Sequence, residues 1–384
     1  MPGVDVLNLG RSVDDTLLHV MIFLFNIFAI NIPQVLMLSA LALALVILLY
    51  LSKKDLWLAL SCSFLLVTQL TIFLNWSSAK YGTIGNVILC VAVIIAFQRR
   101  RFNAMVRSEV RAIFETDLTR GPAITAESLN DLPPIVQKWL IRSNIIGKPP
   151  IRTLCLRQKG AMRMQENGKW LPFSAEQFIN ADDQAFVWNA TVNSGGILPI
   201  NARDKYFRCH GNMFINGMYT VPIANNSGRE IDQGTLMRFL AEIIWFPTAA
   251  LATYIRWDYL SETSAIATID NGLTSVSGVF SFETNGDVKG FEGMRYRDIN
   301  HYYALEKWTI AIMGYRVLGG VRIANNCEVS WQKNGKTFTW LKVEISKMQF
   351  SYGRPSDRST IEENAKRIIE QNTSILTGLQ NIIK

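Results

Sequence analysis

The residues of this sequence best suited to ion-pair or acid–base chemistry stand four positions apart. Arg238 and Glu242 share one face of a predicted helix, so their side chains are neighbours. Two interpretations are open. An exposed pair that stabilises the helix by about 0.2–0.5 kcal/mol is the usual outcome for this spacing. Alternatively, Glu242 meets a polar head group or a partner such as Arg295.

Other catalytic and metal-binding patterns are missing from the sequence. The three histidines are His19, within an apolar run, His210 and His301, and none belongs to an H-x-x-x-H or H-E-x-x-H motif. The sequence also has no G-x-S-x-G nucleophile motif and no Walker or G-x-G-x-x-G phosphate loop. We therefore predict no metal, no cofactor and no catalytic residue, with an enzyme that uses Glu242, Arg295 or His301 as an alternative.

Composition divides the chain into two parts that suit different solvents. Hydrophobic residues make up 49% of the 384 residues and charged residues only 18%, which excludes a disordered chain. Residues 1–98 hold four basic and four acidic side chains, so the whole net charge of +8 belongs to residues 99–384. The first part is typical of a membrane region and the second of a water-soluble one.

Residues 1–98 are predicted to form transmembrane helices. The apolar runs cover about residues 17–32, 35–51, 56–75 and 82–98. Pro33 separates the first two, because proline lacks the N–H group and clashes with the preceding helical turn. Three spans are the alternative to four, since the acidic N-terminus is compatible with the outside. A cleaved signal peptide is disfavoured, because no basic residue immediately precedes residue 17 and no small-residue cleavage site follows the first run.

Basic residues orient the predicted spans. Lys53 and Lys54 lie between the second and third runs, and Arg99, Arg100 and Arg101 follow the last one. The positive-inside rule puts all five on the cytoplasmic side, so the soluble part is predicted to be cytoplasmic. Its basic excess fits an anionic lipid surface, where each basic residue contributes about 1 kcal/mol. Membrane lipid is therefore the predicted partner, nucleic acid is not, and the oligomeric state stays open.

The soluble part is predicted to begin with helices and to continue as a sheet. Residues 99–124 form an amphipathic connector, with a helix over 102–118, and residues 132–143 form a short helix. Period-two alternation predicts about ten short strands within a β-rich domain over residues 125–350, and residues 351–384 form a helical or mobile tail. Asn334 and Gly335 are typical of a type I′ hairpin turn.

The last predicted strand carries alternating residues that are expected to share one face: Thr337, Thr339, Leu341, Val343 and Ile345. The cysteines of the soluble part are isolated, which favours small buried residues in a reducing compartment over a disulfide framework; they are Cys155, Cys209 and Cys327.

One helix interrupts the strands, from its predicted N-cap Asp232 to the helix-ending Pro247. It has a single apolar stripe, formed by Leu236, Phe239, Leu240, Ile243 and Ile244. A helix with one apolar stripe inside an antiparallel series must cover a face of the sheet. The predicted fold class is therefore α+β, with a bundle of three or four transmembrane helices followed by a large antiparallel sheet, an open or half barrel, covered by helices.

Five segments resemble an uncharacterised bacterial family known only as a domain of unknown function. They are residues 132–140 (LPPIVQKWL), 148–152 (KPPIR), 170–177 (WLPFSAEQ), 238–247 (RFLAEIIWFP) and 295–296 (RY). The resemblance covers about residues 125–350. It implies a fold similar to the half-open β-barrels of the lipoprotein-localisation factors, which hold acyl chains on a concave sheet, and a bacterial inner membrane as the location.

The leading functional hypothesis is an integral membrane protein whose β-rich domain binds an apolar ligand, most simply a lipid, between the sheet and the helix of residues 232–246. The candidate ligand-binding residues are Leu236, Arg238, Leu240, Glu242, Ile244, Trp245 and Arg295. A membrane-tethered enzyme of unknown reaction and a structural partner of another membrane protein are the alternatives.

Overall fold

The computed structural model describes residues 56–74, 76–115, 120–194, 199–299, 302–333 and 335–353. The described residues divide into two compact units, with the boundary after Phe102. The predicted spans 17–32 and 35–51, His301, Asn334 and nearly all of the predicted tail lie outside the described residues.

The first unit contains the two apolar segments predicted closest to the soluble part. Its helices are α1 (Leu56–Leu74), α2 (Trp76–Ala79) and α3 (Gly82–Phe114), which continues into the second unit. By length and composition, Trp57–Leu74 and Gly82–Phe114 could each cross a membrane. Asn86 of α3 is joined to α1 by hydrogen bonds, accepting from Thr68 at 3.1 Å and donating to Gln69 at 3.0 Å. These bonds satisfy polar groups that would be costly to leave unpaired in lipid.

Thirteen strands form one antiparallel sheet, where the sequence predicts about ten short strands. They are β1 (Thr153–Met162), β2 (Leu171–Asn180), β3 (Ala185–Val192), β4 (Ile200–Phe207), β5 (His210–Gly217), β6 (Val221–Ser227), β7 (Ile255–Ser261), β8 (Ser264–Asp270), β9 (Ser275–Phe282), β10 (Val288–Ile299), β11 (Tyr302–Leu318), β12 (Val321–Lys333) and β13 (Lys336–Ser351). The sheet is open, because β6 and β7 are its two edges and β1 pairs with β13 in the middle.

The chain between the two edge strands carries the central helix, α5 (Arg229–Glu242), which follows α4 (Pro134–Arg142) in chain order. Helix α5 contacts β4, β5 and β6 on one side and β8, β9 and β10 on the other, so both halves of the sheet pack around it. We call the face that packs on α5 the inner face. Most of the hydrophobic core lies between this face and the helices, and α4 adds Trp139, whose ring packs on Phe280 at 6.1 Å.

Helix α5 begins earlier and ends earlier than the sequence predicts. It starts at Arg229, after Gly228, whose φ of 117° favours glycine. Asp232 is therefore not the N-cap, and its carboxylate instead accepts a hydrogen bond from the Gly211 backbone N–H at 2.6 Å. Two 3₁₀ turns, Ile243–Trp245 and Pro247–Leu251, follow the helix, and most of their residues are buried.

The final hairpin forms as predicted, and Leu341, Val343 and Ile345 share a face of β13, but Thr337 and Thr339 do not share it with them. Lys333 pairs with Lys336 across the turn, and Gly335 has a φ of 75°. A β-bulge between Ser330 and Val329 shifts the register opposite Trp340. Each extra residue reverses the side-chain alternation, so Phe338, and not Thr337 or Thr339, shares the inner face with Leu341.

Residues 103–114 of α3 pack on the outer face of the sheet. The predicted connector helix is thus the continuation of the helix that begins at Gly82. Phe114 contacts Phe178 of β2 edge to face at 6.4 Å, and the Asn180 side chain donates to the Ile113 carbonyl at 2.7 Å. Glu109 lies 3.0 Å from Arg203 and 2.8 Å from Lys205 on β4. An ion-paired and apolar contact therefore fixes this helix end to the sheet.

Candidate functional site

The apolar candidates of α5 and the turn after it belong to the hydrophobic core. Leu236 and Leu240 are 0% exposed, Ile244 is 1% exposed and Trp245 is 5% exposed. Their neighbours are the core residues of the inner face. In this structure these four side chains belong to the packed core, and the polar candidates lie beside them.

The Arg238–Glu242 pair is buried, which corrects the expectation of an exposed pair. The side chains are 14% and 7% exposed, and Arg238 Nε donates to Glu242 Oε1 at 2.7 Å. The second carboxylate is Asp204 of β4, whose Oδ2 accepts from Arg238 Nη1 at 2.7 Å. The i, i+4 spacing fixed the pairing, but the sequence does not reveal that α5 turns this face toward the sheet.

Two glutamines extend this arrangement across the inner face. Gln177 Nε2 donates to Glu242 Oε2 at 2.5 Å, and Gln158 Nε2 donates to Gln177 Oε1 at 2.8 Å. Trp188 Nε1 donates to Gln158 Oε1 at 2.8 Å, and the Arg238 guanidinium lies 5.0 Å from the Trp188 ring centre. The Arg238 network is our name for six residues: Arg238, Glu242, Asp204, Gln177, Gln158 and Trp188. In the sequence, the glutamines at inward-facing positions of β1 and β2 are the feature that could have indicated this network.

Burial and the neighbouring charges have opposite effects on the pKa values of Glu242 and Arg238. Burial raises the pKa of Glu242 above its ordinary value, and the opposing effect of Arg238 is smaller. Burial by itself lowers the pKa of Arg238, but Glu242 and Asp204 outweigh it and the net shift is upward. Arg238 therefore stays charged and bridges two carboxylates, as a buried cation must if it is to be tolerated.

Arg295 of β10 is a different kind of arginine. Its Nε donates to the Gly234 carbonyl of α5 at 2.9 Å, and its guanidinium lies 4.9 Å from the Trp308 ring centre and 5.9 Å from that of Trp331. A Cβ on Gly234 would meet Arg295 Nε at 3.4 Å, so glycine permits this close approach. No ion pair joins Arg295 to a carboxylate in the described part of the chain, and burial lowers its pKa to about 10.

Arg297, two residues along the same strand face, has the partner that Arg295 lacks. Glu306 of β11 stands directly opposite Arg295 in the ladder, yet its carboxylate binds Arg297 Nη1 at 3.1 Å. Arg297 also lies 5.6 Å from the Trp331 ring centre, so the same indole contacts both guanidinium groups. The strand thus presents one paired and one unpaired arginine beside a shared aromatic ring.

Several buried polar atoms near these groups have no hydrogen-bond partner among the described residues. They include two indole donors, Trp308 Nε1 and Trp340 Nε1, and one acceptor, Asp204 Oδ1. An unpaired buried donor or acceptor costs about 1–3 kcal/mol, so such groups are rare in native structures and mark sites that can bind a ligand. Trp308 is 3% exposed and is the same residue that contacts Arg295.

Half-buried apolar side chains line part of the inner face. Leu171 of β2, Trp188 of β3, Ile200 of β4, Ile215 of β5 and Leu341 of β13 all point to this face and keep part of their surface exposed. We call these five residues the apolar strip. Trp331 and Phe338 pair across β12 and β13 on the same face, and they lie between the strip and Arg295 in the order of strands.

The residues that could serve an enzyme or a metal site are considered by their surroundings. No group of three His, Cys, Asp or Glu residues in the described part of the chain could hold a metal ion. His210 lies 3.4 Å from Asp232, but its side chain is 74% exposed. Glu242 is bound by Arg238 and Gln177, and His301 lies outside the described residues.

Two solved structures are similar to this chain at low identity. One is an outer membrane lipoprotein-sorting protein domain from Vibrio parahaemolyticus, with 10% sequence identity and a TM-score of 0.34; the match covers 60% of this chain and 97% of that one. The other is a DUF1329 family protein from Desulfovibrio piger, with 8% identity and a TM-score of 0.32; the match covers 54% of this chain and 88% of that one.

Sequence comparison identifies the family. No curated protein matches the chain. The sequence model of a family of unknown function, DUF6544, matches residues 122–343, which is more than half of the chain and nearly the segment in which the resemblance was found. This chain therefore belongs to DUF6544.

Proposed function

We propose that this protein is anchored in a membrane and binds the apolar part of a lipid on the inner face of its sheet. The observation that carries the proposal is the apolar strip. Five strands each contribute one half-buried side chain to a single face, although α5 has already filled the centre of that face with packed core.

Apolar surface left open on an inner face favours an apolar ligand. Removing such surface from water contributes about 25 cal/mol per Å², so an acyl chain laid on several of these side chains would gain free energy at each one. The packed leucines of α5 are different, because they are fully buried and have no surface left to offer. We therefore assign ligand contact to the strip and structural packing to Leu236, Leu240 and Ile244.

The anchoring half of the proposal rests on α1 and α3. Both have the length and composition of a membrane span, and their apolar side chains are largely unburied, with Leu74 77% and Leu66 73% exposed. Arg99, Arg100 and Arg101 follow the apolar part of α3, which by the positive-inside rule favours the cytoplasm for the sheet. A lipid-binding face on such a protein would have its ligand in the adjacent bilayer.

Native mass spectrometry of the full chain purified in detergent tests the lipid-binding proposal. We expect the wild type to retain an apolar molecule. We expect Ile215→Asp to lose it, because an acyl chain on the strip would remove the aspartate charge from water at a large cost in free energy. Leu305→Asp is the matched control, since Leu305 of β11 is 48% exposed and pairs with Tyr296 on the outer face of the sheet.

Two outcomes would overturn the proposal. Either the wild type carries no apolar molecule and binds none that is added, or Leu305→Asp reduces binding as much as Ile215→Asp. If Ile215→Asp fails to fold, the milder Ile215→Ser takes its place, with the same expected order of binding.

Cysteine labelling tests the orientation. Cys155 and Cys327 are buried, whereas Cys209 is partly exposed, so Cys209 is the appropriate probe. With Cys62 and Cys90 replaced by serine, a membrane-impermeant maleimide should label Cys209 only after the cells are opened, and Cys209→Ser should abolish the signal. Labelling in intact cells would reverse the proposed topology.

A further inference from the structure

We propose that Arg295 binds the acidic group of the lipid whose chain lies on the apolar strip, so that the ligand is an acidic amphiphile with a carboxylate or phosphate head group. This inference rests on the proposed function and specifies its ligand class. It follows from the pairing of charges on the inner face, from the free donors around Arg295 and from the order of strands.

The pairing of charges leaves Arg295 without a partner. The nearest carboxylate along the ladder, Glu306, is bound to Arg297 at 3.1 Å. Glu242 and Asp204 influence Arg295 through space, but each is already bound to Arg238 at 2.7 Å. One arginine is therefore available for an anion that the described residues do not supply.

The Arg295 side chain has hydrogen-bond donors that can bind an acceptor. An arginine side chain has five N–H donors, and the one on Nε is used by the Gly234 carbonyl. The four donors on the two Nη atoms have no acceptor in the described part of the chain, and the buried Trp308 Nε1 beside them is also unpaired. A carboxylate or phosphate accepts such bonds in pairs, whereas an ammonium group would only add donors.

The guanidinium is held in place before any ligand arrives. It lies 4.9 Å from the Trp308 ring centre and 5.9 Å from that of Trp331, and the hydrogen bond to the Gly234 carbonyl ties it to α5. Because the side chain is already ordered, binding an anion costs little additional conformational entropy. Arg295 remains half-buried and not fully enclosed, so a head group can reach it from solvent.

The order of strands links Arg295 to the apolar strip. Arg295, Trp308, Trp331 and Phe338 occupy β10, β11, β12 and β13 in turn, and all four lie on the inner face. Leu341 follows on β13, and Leu171 is reached through β1. A ligand with its charged group at Arg295 and its chain on Leu341 and Leu171 would therefore lie along one face of the sheet, past aromatic rings that are 3–9% exposed.

A binding titration of the full-length protein in detergent tests the inference with ligands that differ only in the head group. Oleate and oleyl alcohol share a chain but only oleate is charged; phosphatidylglycerol supplies a phosphate with chains, and inorganic phosphate a phosphate alone. We expect the wild type to bind oleate and phosphatidylglycerol about tenfold more tightly than oleyl alcohol. Arg295→Gln should remove this preference and leave oleyl alcohol binding unchanged, while Arg295→Lys should keep part of it.

The control for net charge is Arg256→Gln, because Arg256 is 73% exposed on β7 and its loss changes the charge equally. It should leave the preference intact. Equal affinity of the wild type for oleate and oleyl alcohol would overturn the Arg295 inference, as would an Arg295→Gln protein that loses both ligands equally. Failure of the wild type to bind any chain-bearing ligand would instead overturn the proposed function. Inorganic phosphate has no acyl chain. If it binds and this binding depends on Arg295, the result would support the anion site but not the site for the chain.

Discussion

Arg238 of α5 and Arg295 of β10 both lie between α5 and the inner face, and each has its guanidinium near a tryptophan ring, yet their partners differ. Arg238 binds two carboxylates, and those carboxylates and the glutamines behind them form a connected network. Arg295 binds one backbone carbonyl and has no acidic partner in the described part of the chain. A fully paired buried arginine serves the fold, whereas a half-buried arginine with free donors is available to a ligand.

The comparison predicts its largest effect on stability at Arg238. Arg238→Met should lower the free energy of unfolding by about 3–5 kcal/mol, because it leaves Asp204 and Glu242 buried without a cation. Chemical denaturation of the full chain, followed by tryptophan fluorescence, measures this. A variant as stable as the wild type would mean that the network does not hold the core together.

The packed core of α5 gives the second effect. Leu240 is 0% exposed, so Leu240→Ala should cost about 2–5 kcal/mol, the range for a packed leucine. Leu260→Ala on β7, where the side chain is 49% exposed, is the control and should change stability by about 0.5 kcal/mol or less. If Leu240→Ala is nearly neutral and reduces lipid binding, Leu240 lines a cavity and the assignment of this residue to packing is wrong.

Glu242 gives an intermediate effect with a defined dependence on pH. Glu242→Gln should cost about 1–3 kcal/mol, since Arg238 keeps Asp204 but loses one charged acceptor. The folded pKa of Glu242 is raised above the ordinary 4.5, so the folded state holds this proton more tightly than the unfolded state. The stability of the wild type relative to Glu242→Gln should therefore fall as the pH rises from about 4.5 through the folded pKa. Denaturation curves at several pH values would contradict this if the difference increased.

Arg295 should give the smallest effect on stability. Arg295→Gln removes a cation that has no acidic partner to leave behind, so the free energy of unfolding should change by about 1 kcal/mol or less. The same denaturation experiment measures it beside Arg238→Met. A loss as large as that of Arg238→Met would make Arg295 part of the structural network and remove the contrast between the two arginines.

Local periodicity was sufficient to predict much of the sheet and the neighbours within α5. The final hairpin follows from Asn334 and Gly335, and the contact between Arg238 and Glu242 follows from their helical spacing. The burial of that pair depends on Asp204 and Gln177, which are distant in sequence and join it only when β2 and β4 fold around α5. The bulge opposite Trp340 and the continuous helix Gly82–Phe114 likewise depend on tertiary pairing that a single sequence does not reveal.

Arg295 illustrates the same limit at the candidate site. The family motif made Arg295 a candidate. Glu306 stands opposite Arg295 in the ladder, but its carboxylate pairs with Arg297, and this leaves Arg295 without an acidic partner among the described residues. The pairing of Glu306 with Arg297 depends on side-chain geometry across two strands, which residue types and spacing do not determine.

The most direct measurement is the lipid composition of the full-length protein purified from its membrane, compared between the wild type and Arg295→Gln. We expect the wild type to retain lipid that is enriched in acidic head groups relative to the surrounding membrane, and we expect Arg295→Gln to lose this enrichment while it remains folded. A wild type without bound lipid, or with lipid of the same composition as the membrane and unchanged in Arg295→Gln, would contradict this expectation.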